Sequence, residues 1–143
     1  MPGSSPRFDQ VNLVVADMDA AVAFYRRLGL VIPDAGPWDD DHRNAETPAG
    51  IDFDLDRISF ARKWNPGYPG SASRGGALFS FRVEAREDVD RIHADLTGAG
   101  YVSQCEPHDA FWGSRFAIVE DPDGNAVGLM SPRDDAFRGP PPD

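Results

Sequence analysis

Side chains able to do chemistry gather at three places in this 143-residue sequence. The stretch "IDFDLD" sets Asp52, Asp54 and Asp56 at alternate positions. Strand side chains alternate faces, so the three carboxylates share one side, with Ile51, Phe53 and Leu55 on the other. Like charges in a low-dielectric place are costly, so such a face must be wetted or met by cations. A wetted face is the expectation, with Arg82 as an internal partner for the carboxylates. The second group is the histidines: His93 is expected at the surface or the stripe edge of a helix, and His42, in the acidic run "WDDDHRN", in a solvated loop or edge strand. His108, ahead of "DAFWG", is open between pocket lining and plain loop, and no two histidines stand at metal-ligand spacing. The third group is aromatic: Trp64 and Tyr68 in "FARKWNPGYPG", and Phe111, Trp112 and Phe116 in "HDAFWGSRF". Such rings either plug structure or face a flat ligand.

The elements that must position these groups repeat. "QVNLVVA" is an apolar, β-branched strand, and the following "DMDAAVAFYRRLG" is a helix capped by Asp17, with Met18, Val22, Tyr25 and Leu28 on one stripe and Gly29 at its end. Further along, "ALFSFRVEA" is again a strand and "REDVDRIHADLTGAG" again a helix, with Val89, Ile92, Leu96 and Ala99 as its stripe. Strand-like segments follow each helix: "LVIP", "HRNAETP" and "GIDFDLD", then "YVSQCE", "SRFAIVE" and "NAVGLM". In "EDPDGNAVGLM" the pair Asp123-Gly124 predicts a hairpin, since such residues supply the positive φ of a tight turn. The expected fold is α+β: two βαβββ halves over residues 8–62 and 77–131, joined by a Gly-, Pro- and Ser-rich linker over 63–76 and followed by a mobile tail over 132–143. Together they form one domain, a curved mixed sheet around a cavity, and the cavity is the expected ligand site. Alternation turns Gln10, Asn12 and Val14 inward in one half and Leu78, Ser80 and Arg82 in the other, with Val11, Leu13 and Val15, and Phe79, Phe81 and Val83, left for the helix side.

"VNLVVADMDAAVAFYRRLGL", the "DPDGN" hairpin and the internal repeat resemble the vicinal oxygen chelate superfamily, which comprises glyoxalase I, extradiol dioxygenases, fosfomycin-resistance enzymes and bleomycin-resistance binding proteins. The resemblance implies, for the metal-dependent members, four His, Gln or Glu ligands from inward strand positions. Those positions fall on Gln10, on Leu78, on Gly128, and on Asp54 if "IDFDLD" is the strand or Ser59 if "ISFARK" is. Neither Leu78 nor Gly128 offers a side-chain donor to a divalent ion. Gln10 and Asp54 are therefore only weak metal candidates, and no cofactor is expected unless a divalent metal serves an enzymatic alternative. "FWG" is similar to a segment of bleomycin-resistance proteins, which implies binding of a flat, cationic compound between acidic subunits.

Composition narrows the partners. With 24 acidic and 14 basic residues the formal charge is −10, which argues against nucleic acid and anionic membranes. No apolar run reaches membrane-spanning length, "MPGSSPR" lacks a secretory pattern, and the lone Cys105 fits a reducing compartment, so the expected location is the cytoplasm. Neither "GSR" at Ser114 nor "SRGG" carries a nucleophile elbow or a phosphate loop. The expected function is small-molecule binding by a homodimer, with a planar or cationic antibiotic-like compound as the expected ligand. The candidate lining is Asn12, Asp54, Trp64, Tyr68, Ser80, Arg82, His108, Phe111, Trp112 and Met130. The alternative is a metal-dependent lyase, isomerase or dioxygenase of the glyoxalase type.

Overall fold

The computed structural model describes residues 10–34, 40–48, 50–65 and 77–141, with the side chain of Trp64 outside that description. The chain divides into two compact units, Met1–Ser73 and Arg74–Asp143.

In the first unit, strand β1 (Gln10–Val15) leads into helix α1 (Met18–Leu28), followed by β2 (His42–Ala45), β3 (Asp52–Arg57) and a short helix α2 (Ile58–Trp64). The Asp17 carboxylate accepts from the Ala20 amide at 3.1 Å, and Gly29, at φ 124°, closes the helix. Both ends are set by residues that satisfy otherwise unpaired helix groups. The buried stripe is Met18, Ala21, Val22, Phe24, Tyr25 and Leu28, and the Tyr25 ring meets Phe53 edge-on at 5.2 Å. The sheet order is β1-β3-β2, with β1 parallel and β2 antiparallel to β3.

Three expectations change here. "LVIP" is no strand: it makes a single bridge, Val31 to Glu46. Pro33 has no N–H to extend a ladder, and the Ile32 carbonyl is taken by the Arg26 guanidinium at 3.1 Å. "ISFARK" is helix α2, so β3 is "DFDLDR" and the position in question is Asp54, not Ser59. Asp54 and Asp56 are buried instead of wetted, for reasons given below.

The second unit runs β4 (Leu78–Arg82), α3 (Arg86–Gly98), β5 (Ser103–Asp109), β6 (Arg115–Glu120) and β7 (Ala126–Met130), in sheet order β4-β7-β6-β5. Val127, Leu129, Ala117 and Val119 form the wholly buried helix-side face, while Phe79 and Phe81 on edge strand β4 are only half-buried. The stripe of α3 is Val89, His93 and Leu96. His93, expected at the surface or the stripe edge, lies within the buried stripe at 5% exposure, and its Nε2 meets the Ser103 hydroxyl at 2.8 Å, which satisfies a polar ring inside the core. Ala99 is exposed beyond the last helical turn.

The β6–β7 connection is a hairpin, but Gly124 alone has positive φ, at 81°. Asp121, 4% exposed, organises the turn: its carboxylate accepts from the amides of Asp123 and Asn125 at 2.9 and 2.8 Å and from the Asn125 side chain at 2.9 Å. An aspartate that closes its own turn replaces the second positive-φ residue.

The segment after β7, predicted mobile from composition, is anchored through residue 139. The Asp134 amide donates to Gly113 O at 3.0 Å and the Gly139 amide to Phe111 O at 2.9 Å. The Arg86 guanidinium lies 3.7 Å from the Phe137 ring centre. Arg86 also donates to the Asp109 carboxylate, which it holds below the ordinary carboxylate range.

Candidate functional site

Cross-strand register places functional side chains in rows. In the first unit Gln10 lies beside Asp52, Asn12 beside Asp54 and Val14 beside Asp56; across β3, Asn44 pairs with Asp54 and His42 with Asp56. Leu13, Val15, Phe53 and Leu55 occupy the helix side, so the amides, carboxylates and imidazole share the opposite face.

A hydrogen-bond network supports the two buried carboxylates, 7% exposed at Asp54 and 0% at Asp56. Asp56 accepts from Asn12 Nδ2 at 2.8 Å on Oδ2 and meets His42 Nδ1 at 2.5 Å on Oδ1. Asp54 accepts from Asn44 Nδ2 on Oδ1 and from Gln10 Nε2 at 3.3 Å on Oδ2. Gln10 also donates to Asn12 Oδ1 at 2.5 Å. Buried carboxylates persist only when their oxygens are hydrogen-bonded, and here amides and one imidazole do what cations were expected to do. Arg82, expected as their partner, is exposed on β4 of the second unit, and the hydrogen bonds to the carboxylates named here come from the first unit's own residues. Burial pushes the Asp54 carboxyl above the ordinary carboxylate range, and the Asn44 hydrogen bond and the His42 charge oppose that rise. The Phe60 ring of α2 stacks on His42, centres 4.9 Å apart and planes at 24°.

In the second unit the rows are Leu78 beside Ala126, Ser80 beside Gly128 and Arg82 beside Met130; Gly128 faces Ile118, and Met130 faces Phe116 across β6. His108 pairs with Phe116. Ser80, Arg82, His108 and Met130 thus share the face away from α3. Trp112 meets both Phe116 and Phe111 edge-on at 5.1 Å, and His108 lies 6.1 Å from Phe116. Phe111 remains 42% exposed, whereas Trp112 is half-buried against the cluster. Tyr68 lies outside the described residues, and of Trp64 only the backbone, at the end of α2, is described.

His42 lies on edge strand β2, one of the two places its acidic run allowed, but half-buried; its partner was hidden from sequence, since only the antiparallel register with β3 sets it on Asp56. Phe60 was likewise hidden, because "ISFARK" reads equally as strand or helix.

The two units also test whether a metal fits. Asn12 pairs with Asp54 as Ser80 pairs with Gly128, so Gln10 and Asp54 in the first unit correspond to Leu78 and Gly128 in the second. Leu78 is hydrocarbon. Gly128 has no side chain, and a β-carbon there would come within 2.5 Å of Ser80 Oγ, which can rotate away, and 3.2 Å of a Phe116 ring carbon, which would have to give by a few tenths of an ångström. Among the described residues no three His, Cys, Asp or Glu side chains are grouped to hold a metal ion. The donor set does not fit a four-ligand divalent ion.

An α+β fold of two such units, each with a mixed sheet and a polar row on the face away from its helix, defines the class. The sequence model of the Glyoxalase/Bleomycin resistance protein/Dioxygenase superfamily matches residues 7–129, and the chain belongs to that superfamily. Three solved structures illustrate the shared fold. A glyoxalase/bleomycin resistance protein/dioxygenase from Nocardioides is 21% identical with a TM-score of 0.69, the match covering 99% of this chain and 91% of that one. A glyoxalase-related enzyme from Fulvimarina pelagi is 16% identical with a TM-score of 0.75, covering 88% of each chain. A lactoylglutathione lyase from Agrobacterium tumefaciens is 22% identical with a TM-score of 0.64, covering 92% and 96%. No curated protein matches the sequence. No helix among the described residues is long and apolar enough to cross a membrane.

Proposed function

We propose that this protein binds a small molecule without a metal, and that the compound is flat and cationic, of the kind that antibiotic-binding members of the superfamily hold. The observation that carries the reading is that both second-unit positions lack a donor, Leu78 being hydrocarbon and Gly128 having no side chain, where register matches them to Gln10 and Asp54 of the first unit's pattern. Two further features support it. The polar face of the first unit is rich in carboxylates and their hydrogen-bonded neighbours, a field that favours a cation. The Phe111, Trp112 and Phe116 cluster offers ring surface for stacking. Both sheets have edge strands, β1 and β2 in one and β4 and β5 in the other, and Leu78 on β4 is 46% exposed. Pairing of such edges supports a homodimer, which gel filtration tests.

The deciding experiment is a titration of bleomycin-type and mitomycin-type compounds and planar cationic dyes, followed by tryptophan fluorescence. Micromolar binding by at least one compound is expected; silence across the panel overturns the reading. The second reading, a metal-dependent lyase, isomerase or dioxygenase, keeps Gln10 and Asp54 as ligands and draws support from their 3.3 Å approach. Metal analysis of protein purified without chelators separates the two, since near-stoichiometric nickel, zinc, manganese or iron favours the enzyme.

A further inference from the structure

We infer that His42 reads the bound compound, its Nε2 accepting a hydrogen bond from an N–H or O–H donor on the ligand. This rests on the binding reading above and narrows it to flat cations that carry such donors. Asp56 is wholly buried and its two oxygens are engaged, one by Asn12 Nδ2 at 2.8 Å and one by His42 Nδ1 at 2.5 Å. An ionised carboxylate can only accept, so the shared proton sits on Nδ1. In the neutral imidazole that leaves the lone pair on Nε2, with the tautomer fixed by a neighbour that cannot donate.

The rest of the ring is held as firmly. Phe60 covers one face of the imidazole, and Lys63 Nζ lies 5.7 Å from the Phe60 ring centre. Nε2 has no hydrogen-bond partner among the described residues, and it is not one of the buried orphan atoms, which are Arg57 Nε and Ser114 Oγ. The His42 side chain is 25% exposed. An acceptor fixed in direction by a buried carboxylate, screened on one face and open at one edge, is how a protein demands a donor from a ligand. Around it, Asp54 and Asp56 on β3 supply the negative field that attracts a cation, while Asn12 and Asn44 are already committed to those carboxylates.

The test uses proflavine and acridine orange methylated at its ring nitrogen, flat cations of one ring system that differ in that proflavine carries N–H groups and the other has every nitrogen alkylated. Measured by fluorescence titration at about pH 8, proflavine should bind about tenfold more tightly, the worth of one good hydrogen bond. His42→Ala, checked for folding by circular dichroism, should erase that preference by weakening proflavine alone. Nitrogen-15 spectra of the wild-type rings supply a readout that needs no variant and no ligand: His42 should carry its proton on Nδ1. Equal binding of both dyes, or a proton on Nε2, overturns this inference while leaving the binding reading intact. Failure of both dyes to bind overturns the donor-bearing cation assigned here, and silence across the wider panel overturns the binding reading itself.

Discussion

Replacing Asn44 by alanine isolates one hydrogen bond of the polar network. Asn44 is exposed on edge strand β2, so truncation opens no core cavity, yet its Nδ2 donates to Asp54, which is 7% exposed. A hydrogen bond to a charged group contributes about 1.5–3 kcal/mol, and water can reach the vacated place beside an exposed residue, so a value around or just below the bottom of that range applies, about 1–2 kcal/mol. For a chain of this size that lowers the melting temperature by about 3–7 °C. The loss must also depend on pH. Asp54 titrates above its ordinary value of 3.8 in the folded protein because burial disfavours its charge. Its ionisation therefore subtracts stability, with no effect below the unfolded value and the full effect above the raised folded value. Removing the Asn44 donor raises the folded value further, widening that window and enlarging the penalty above it. Urea unfolding of wild type and Asn44→Ala should thus differ by about 1–2 kcal/mol near neutrality and converge as pH falls below the carboxylate range. A difference that stays constant with pH, or none at neutrality, refutes the claim that Asn44 sustains a buried carboxylate.

Further consequences concern the second unit. Gly113→Ala forces a β-carbon to 2.7 Å from the Asp134 carbonyl at a residue with φ of 101°, so a loss of about 2–4 kcal/mol and faster amide exchange over residues 132–141 are expected. Arg115 grips Asp90 through Nε at 3.2 Å and Nη2 at 2.8 Å; Arg115→Lys keeps the charge but loses the fork, and chemical denaturation should show a loss of about 1 kcal/mol. Gly128→Glu should destabilise the protein by about 1–3 kcal/mol in chemical denaturation, because its β-carbon would crowd a Phe116 ring carbon at 3.2 Å as well as Ser80, and calorimetry should show no divalent-metal binding, because Leu78 still offers no donor.

Much of the fold is local and so was legible. Asp17 and Gly29 punctuate α1, the apolar period picks its buried face, and the repeat of strand and helix defines two units. The same alternation put Gln10 and Asn12 on one face of their strand and Asp54 on one face of its own, while the resemblance to the superfamily, not periodicity, marked Leu78 and Gly128 as places where donors are missing. Helix α2 was ambiguous, since a short apolar run fits either period. His93 was misplaced because the partner that makes its burial tolerable, Ser103, lies on another element. The C-terminal segment looked mobile in composition, but its anchors are backbone groups of Phe111 and Gly113, which composition does not register.

By itself the sequence determined the two-unit plan, the superfamily and the residues that face away from the helices, because periodicity and capping act over a few neighbouring positions. Only the tertiary structure decided that Asp54 and Asp56 are buried, and that Asn12, 44 positions away, and His42, 14 away, complete Asp56. Alternation tells which way a side chain points. What lies across from it depends on strand register, and a carboxylate turns from a solvated charge into part of a binding face only when register supplies its donors.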